Sequence, residues 1–320
     1  MAFDASSWVW RNGALVPLGD ASVPLTTHAL HYGSGVFEGI RCYPTPAGPA
    51  LFRVEDHVAR LYRSAAAYGL DVPHQPSELE EAACEVVARN GFAACYVRPI
   101  VHLGSDNLGI RGRCPVEVAV LAWPWASHLG AEGVRSGVRV TVSSWVKFSP
   151  AMMPTTAKGC GQYLNSRLAV QEATRRGFDE ALLLDAEGRI AEGAVENVFL
   201  VRGGRLLTND QRSSILLGIT RDSVIRIARD LGIEVAVGFL SLDDLLSADE
   251  AFFTGTAAEI TPIREVDGAA VGAGAPGPVT ARIQQAFFAA TGGLDPRYSG
   301  WLRMVPDRRG DPVAVEARSR

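Results

Sequence analysis

T-T-A-K-G-C-G-Q-Y-L-N-S, residues 155–166, carries one of only two lysines among the 31 Lys and Arg residues of this chain; the other is Lys147. Where only charge matters, a chain this rich in arginine has arginine. A retained lysine therefore invites a task that guanidinium cannot perform, that of an amine able to deprotonate and form a Schiff base. Compositional bias alone would explain the scarcity equally well. Lys158 is the better candidate of the two, because the small residues around it let a bulky planar group approach the backbone and a carboxylate motif follows at residues 191–199.

Working outward, W-V-W-R-N-G-A-L-V-P reads as two short strands about an Asn-Gly turn. Helical apolar spacing runs over 55–69, with Val58, Leu61 and Tyr62 on one face, and over 77–90. C-Y-V-R-P-I-V-H-L and V-E-V-A-V-L-A-W are strand-like. These pieces predict a small N-terminal α/β domain over 1–126. Residues 127–134 are small and turn-rich and read as an interdomain loop. Strands and hairpins alternate with helices at about 160–176, 219–231 and 278–291, which predicts a β-rich second domain with covering helices over 135–304. Residues 305–320 have little apolar periodicity and read as a mobile tail.

The 320 residues, 47% hydrophobic and 21% charged, suffice for a sizeable core and two domains. A net charge of −4 gives no reason to expect nucleic acid or an anionic membrane as partner. No run approaches the roughly 20 apolar residues of a membrane span, and the first residues lack the pattern of a signal peptide, so a cytoplasmic location is expected. Five cysteines without C-x-x-C spacing suggest neither a disulfide framework nor a zinc site. Cys160, two residues from Lys158, could still meet oxidants at a site mouth.

A pyridoxal phosphate enzyme needs an amine, an anion near the pyridine nitrogen and a cradle for a dianion. Glu192 and Glu196 in A-E-G-A-V-E-N are the carboxylate candidates, although two glutamates near a strand, taken alone, read as solvated surface charge. L-L-G-I-T-R-D turns from Gly218 into a helix whose Ile219 and Thr220 amides point at its positive end, a place where anions bind, or else a plain helix start. Arg60 on its helix could add a phosphate contact or simply face solvent. T-G-T-A-A-E-I-T-P, residues 254–262, could aim backbone amides at a carboxylate or phosphate oxygen, or be a turn of small residues. Arg98, in an otherwise apolar strand, would bind an acidic group bidentately if directed into a pocket.

The ordered set H-Y-G-S-G-V-F-E-G-I-R-C-Y, H-V-A-R-L, Y-V-R-P, T-A-K-G-C-G-Q-Y-L-N-S, E-G-A-V-E-N-V-F, G-I-T-R-D and G-T-A-A-E-I-T-P resembles the branched-chain amino acid aminotransferases of the class IV, fold type IV pyridoxal phosphate family. It spans roughly residues 8–302. The resemblance implies an α+β chain with a larger C-terminal pseudo-barrel domain, pyridoxal 5'-phosphate as cofactor and no metal. It implies transfer of the amino group of L-leucine, L-isoleucine or L-valine to 2-oxoglutarate. Lys158 would form the internal aldimine and shuttle the proton, Tyr163 would bond the phenolate oxygen, and Glu192 would pair with the pyridine nitrogen. Arg60, the Ile219 and Thr220 amides and Thr256 would hold the phosphate, while the Thr256 and Ala257 amides would receive the substrate carboxylate. Phe37, Tyr96, Arg98 and Trp125 would line the side-chain pocket, with Tyr32 and the loop near Ile110 reaching in from a partner subunit of a homodimer or larger homo-oligomer.

Four departures bear on substrate. His128 stands where the family usually has Tyr, Gln162 replaces Asn, Leu217 replaces Pro, and the 104–115 loop is unusual. His128 is therefore a further substrate-pocket candidate. A specialised aminotransferase of secondary metabolism acting on a modified amino acid, and a lyase of the same fold, are the alternative enzymes. A noncatalytic binding protein is the remaining class, opposed by the intact Lys158, Tyr163 and Glu192.

Overall fold

The computed structural model describes residues 7–125 and 129–306. Among these, the strands form one sheet of eight and another of nine. The first begins with β1 (Trp8–Arg11) and β2 (Ala14–Pro17), joined where Asn12 and Gly13 both take positive φ, 48° and 97°. That backbone twist matches a tight hairpin and favours Asn-Gly. A short helix α1 (His28–Tyr32) leads to β3 (Gly35–Phe37), β4 (Ile40–Thr45) and β5 (Gly48–Phe52). Helices α2 (Val54–Ala67) and α3 (Pro76–Asn90) follow, then β6 (Cys95–Leu103) and β7 (Val116–Trp123). Val58 and Leu61 of α2 and Leu79 and Val86 of α3 are buried with Val97, Val101 and Val118 of the sheet, forming the first core.

After α4 (Gly130–Ser136) the second sheet takes shape from β8 (Val138–Val142), then α5 (Tyr163–Arg175) and β9 (Glu180–Leu184). It continues through β10 (Ile190–Gly193), β11 (Asn197–Arg202) and β12 (Arg205–Asn209). Helix α6 (Ile219–Asp230), β13 (Val235–Gly238) and α7 (Leu242–Leu246) precede β14 (Glu250–Gly255), β15 (Glu259–Val266) and β16 (Ala269–Ala270). Its strand order is β10-β9-β8-β15-β14-β11-β12-β13, with β16 paired to β15. Helix α8 (Pro278–Thr291) and α6 close one face, burying Ile283, Phe287, Val224 and Ile227 against Phe199 and Phe252.

Three expectations need correction. Residues 127–134 are not simply a loop, because Gly130–Ser136 is helical: Glu132 bonds Arg135 and Ser136, and a Cβ on Gly133 would lie only 3.0 Å from Val138 Cγ1, so small residues serve close packing. Leu302–Met304 does not join the second sheet but pairs with β5 of the first. Val305, expected in the tail, is buried, with its amide bonded to the Pro49 carbonyl at 2.9 Å; residues 307–320 lie outside the described residues. Among the described residues, no helix is long and apolar enough to cross a membrane.

Candidate active site

Lys158 sits on a segment that the first sheet holds by its backbone. The Lys158 carbonyl accepts from the Phe37 amide at 3.1 Å, the Cys160 amide donates to Gly35 at 2.8 Å, and Gly159 bridges Val36. From α2, Ser64 Oγ accepts the Lys158 amide at 3.0 Å. The lysine backbone is thus fixed at both neighbours, and its side chain enters a cavity of about 470 Å³, a size suited to a cofactor with a small substrate.

Inside, Lys158 Nζ donates to the Tyr163 hydroxyl at 2.6 Å. Burial, with the Arg60 charge, lowers the Lys158 pKa, which favours the free amine. Burial also raises Tyr163, so the phenol keeps its proton. The Phe37 ring packs edge-on to Tyr163 at 4.7 Å between centroids.

Glu192 enters from β10 with little exposure. Its Oε1 lies 2.6 Å from Lys147 Nζ, while Oε2 accepts from Asn197 Nδ2 at 3.2 Å and the Leu216 amide at 3.1 Å. Glu196 also lines the cavity, but burial, reinforced by Glu180, pushes its pKa well up. Burial thus disfavours the charged form of Glu196, whereas Glu192 stands against a cation, Lys147.

The start of α6 completes the floor. Gly218, at its N-cap, offers no side-chain cap, so the Ile219 and Thr220 end of the helix faces the cavity with its positive dipole. A Cβ on Gly218 would lie 2.2 Å from Asn197 Oδ1, so this approach requires glycine. Arg60 is buried beside it. Its Nε and Nη2 donate to Glu38 at 2.6 and 2.9 Å and its Nη1 to the Leu217 carbonyl at 2.9 Å. Burial alone would raise the Glu38 pKa, but Arg60 and His57 overcome it and hold the carboxyl far below the usual range.

Opposite, the turn between β14 and β15 brings Thr256 and Ala257 to the same space. Arg98 of β6 lines it too, with its guanidinium 4.5 Å from the Phe37 ring centroid, 5.4 Å from Tyr96 and 5.5 Å from Trp123. Its buried Nε has no hydrogen-bond partner among the described residues. Tyr96 and Trp125 extend this aromatic wall, 5.7 Å apart.

Arg60, Tyr163, Glu192, Ile219, Thr220, Thr256, Ala257, Phe37, Tyr96, Arg98 and Trp125 therefore all surround the Lys158 cavity. Tyr32 and Ile110 do not; they are exposed, and Tyr32 donates to the Leu108 carbonyl of the 104–115 loop at 2.9 Å. His128 lies outside the described residues. Sequence reasoning passed over Glu38, Lys147 and Asn197. Each left a trace: a glutamate inside the apolar G-V-F-E-G-I run, the second lysine, and the Asn directly after Glu196. Among the described residues no cluster of His, Cys, Asp and Glu could hold a metal ion.

The arrangement fits pyridoxal phosphate on its own geometry: an uncapped helix end and Arg60 for a phosphate, a carboxylate paired with Lys147, and a desolvated amine. Comparison with known proteins agrees. Residues 35–266 match the family described as Amino-transferase class IV. The branched-chain-amino-acid aminotransferase of Escherichia coli strain K12 is 45% identical over 307 residues, 95% of this chain and 99% of that protein. The T.th. branched-chain amino acid aminotransferase with pyridoxamine 5'-phosphate superposes with a TM-score of 0.91 at 49% identity, covering 94% of this chain and 99% of that one. The same enzyme complexed with N-(5'-phosphopyridoxyl)-L-glutamate gives 0.89 at 48% identity and the same coverage. With this cavity and these relatives, the chain belongs to the class IV aminotransferases, as a member of their branched-chain-amino-acid aminotransferase family.

Proposed function

We propose that the protein transfers the amino group of L-leucine, L-isoleucine or L-valine to 2-oxoglutarate, using pyridoxal 5'-phosphate in the cavity around Lys158. The observation that carries this reading is Arg98, a cation with an unpartnered buried Nε set among aromatic rings. One pocket then offers apolar area to an aliphatic side chain and a fork to the glutamate side-chain carboxylate. The T.th. relative captured with a phosphopyridoxyl-glutamate supports the second half of that pairing.

The residue roles follow from position. Arg60, the α6 amides of Ile219 and Thr220, and Thr256 would hold the phosphate; Glu192 would face the pyridine nitrogen and Tyr163 the phenolate oxygen. The cofactor supplies an aldehyde that condenses with amines and a ring that withdraws electrons from the substrate α-carbon. Lys158, its pKa lowered by burial, would as a neutral amine accept the proton of that carbon and carry it across the intervening nitrogen to the cofactor's C4′, with Tyr163 holding Nζ at 2.6 Å. Thr256 and Ala257 would orient the α-carboxylate through their amides, so that the side chain falls against Phe37, Tyr96, Trp125 and Arg98.

A second copy of the chain is part of this reading. Leu30, Tyr32, Ile110, Met152 and Leu164 are exposed apolar or aromatic side chains that such a copy would cover. Tyr32 and the loop it grips through Leu108 would then reach the partner's pocket. The reading is tested by mixing the yellow holoenzyme, without oxo acid, with L-Leu, L-Ile, L-Val, L-Glu and D-Ala in turn and following its absorbance. Conversion to the pyridoxamine form by the four L-acids and not by D-Ala is expected. Conversion by L-Glu alone would replace the branched-chain donors with a specialised one.

A further inference from the structure

The second lysine of the chain lies in the same cavity, and the roles above give it no task. Its placement is built into the sheet. The Lys147 amide donates to the Leu184 carbonyl of β9 at 2.8 Å, and on the other side of β9 the strand β10 carries Glu192 opposite Leu183. The side chains meet with Nζ 2.6 Å from Oε1, both more than nine-tenths buried. The Phe148 ring covers the ammonium, its centroid 4.6 Å from Nζ.

The carboxylate beside it has about four acceptor positions. Lys147, Asn197 and the Leu216 amide occupy three, which leaves one for a donor from the cavity. A buried carboxylate deprived of its cation favours the neutral acid, and a neutral Glu192 could not balance a charged ring. The other titratable groups around the pair are Tyr163 and Lys158, together with Glu196 and, behind it, Glu180. Among the described residues, Glu192 makes its ion pair with Lys147.

Resting on the cofactor reading above, we propose that Lys147 is a positioning residue that keeps Glu192 ionised and turned into the cavity, so that the cofactor's pyridine nitrogen stays protonated. It acts through Glu192 and touches neither substrate nor reacting atoms.

The test uses holoenzyme loaded with pyridoxal phosphate labelled with nitrogen-15 in the ring, whose chemical shift reports protonation directly. Near neutral pH, wild type and Lys147→Arg are expected to show a protonated ring nitrogen and Lys147→Met an unprotonated one. Conversion by L-Glu in a single turnover should slow at least about tenfold in the Met variant and recover in the Arg variant. In a Glu192→Gln background, Lys147→Met should add less than about twofold, as expected for two residues acting as one unit. If the Met variant does not fold, Lys147→Gln keeps a donor for Oε1 without the charge and is read in the same way. A protonated ring nitrogen in the neutral variant at full cofactor occupancy would overturn the proposal. The nitrogen signal needs no amino acid, so a wild type that converts no donor but loses ring protonation in the variant would sink the substrate reading and leave this one standing.

Discussion

Glu38 and Lys158 show how far a single side chain is defined by what surrounds it. Lys158→Ala is predicted to retain cofactor noncovalently but to lose about 10²–10⁴ in turnover, the usual worth of a positioned proton carrier; steady-state rates at matched cofactor occupancy check this. Glu38 is wholly buried against Arg60 and His57. Glu38→Gln strands the Arg60 charge and should cost roughly 3–5 kcal/mol in denaturant unfolding. Because the folded-state pKa of Glu38 is depressed from 4.5, its contribution to stability is fully present above 4.5 and is lost as pH falls from there through the depressed folded-state value. Burial likewise depresses His57, which adds acid sensitivity of the same sign. Unfolding midpoints should therefore drop more steeply below about pH 4.5 in wild type than in Glu38→Gln. A parallel pair of pH curves would contradict the assignment. Lys158, Tyr163 and Glu192 were legible because their chemistry is carried by residue type and by motifs a few residues long. Glu38 was not, since its partner stands 22 residues away and only folding shows that the two meet.

Helix α6 and strand β11 meet at Gly218, where the side chain that bonds Glu192 also accepts the Gly218 amide at 3.1 Å. Gly218→Ala places a methyl group where Asn197 Oδ1 now lies. The expected result is a loss of about 1–3 kcal/mol in stability from overpacking, together with weaker retention of pyridoxal phosphate in equilibrium dialysis. Unchanged affinity would show that the helix end is not the phosphate cradle. The major helices were readable from apolar spacing because each has one wet face, as α2 and α6 do. Helix α4 was not, because its glycines look like turn residues; in the fold Gly133 packs close to Val138 and Gln284 bonds the Val134 carbonyl at 3.0 Å. Neither contact is local in sequence. The pairing of Leu302–Met304 with β5 escaped notice for the same reason.

The cavity is lined by residues of both sheets, and Leu25, Leu30, Met152 and Leu164 are exposed elsewhere on the molecule. If a second copy covers these side chains, the holoenzyme should sediment at no less than twice the chain mass of 34.2 kDa, and Leu164→Glu should shift it toward the monomer. A wild type that stays monomeric at all concentrations would remove the partner role of Tyr32 and Ile110. The order of seven motifs made the architecture legible across nearly the whole chain. The sheet register that sets Lys147 beside Glu192, 45 residues on, was beyond it, because cross-strand neighbours depend on pairings no local pattern encodes.

Both lysines of the chain reach one cavity, and their proposed tasks are opposite: Lys158 bonds the cofactor and Lys147 never does. Borohydride reduction of the yellow holoenzyme followed by peptide mass mapping distinguishes them directly. The predicted result is a phosphopyridoxyl group on Lys158 alone; the group on Lys147, or no modified lysine in a protein that holds cofactor, would contradict it.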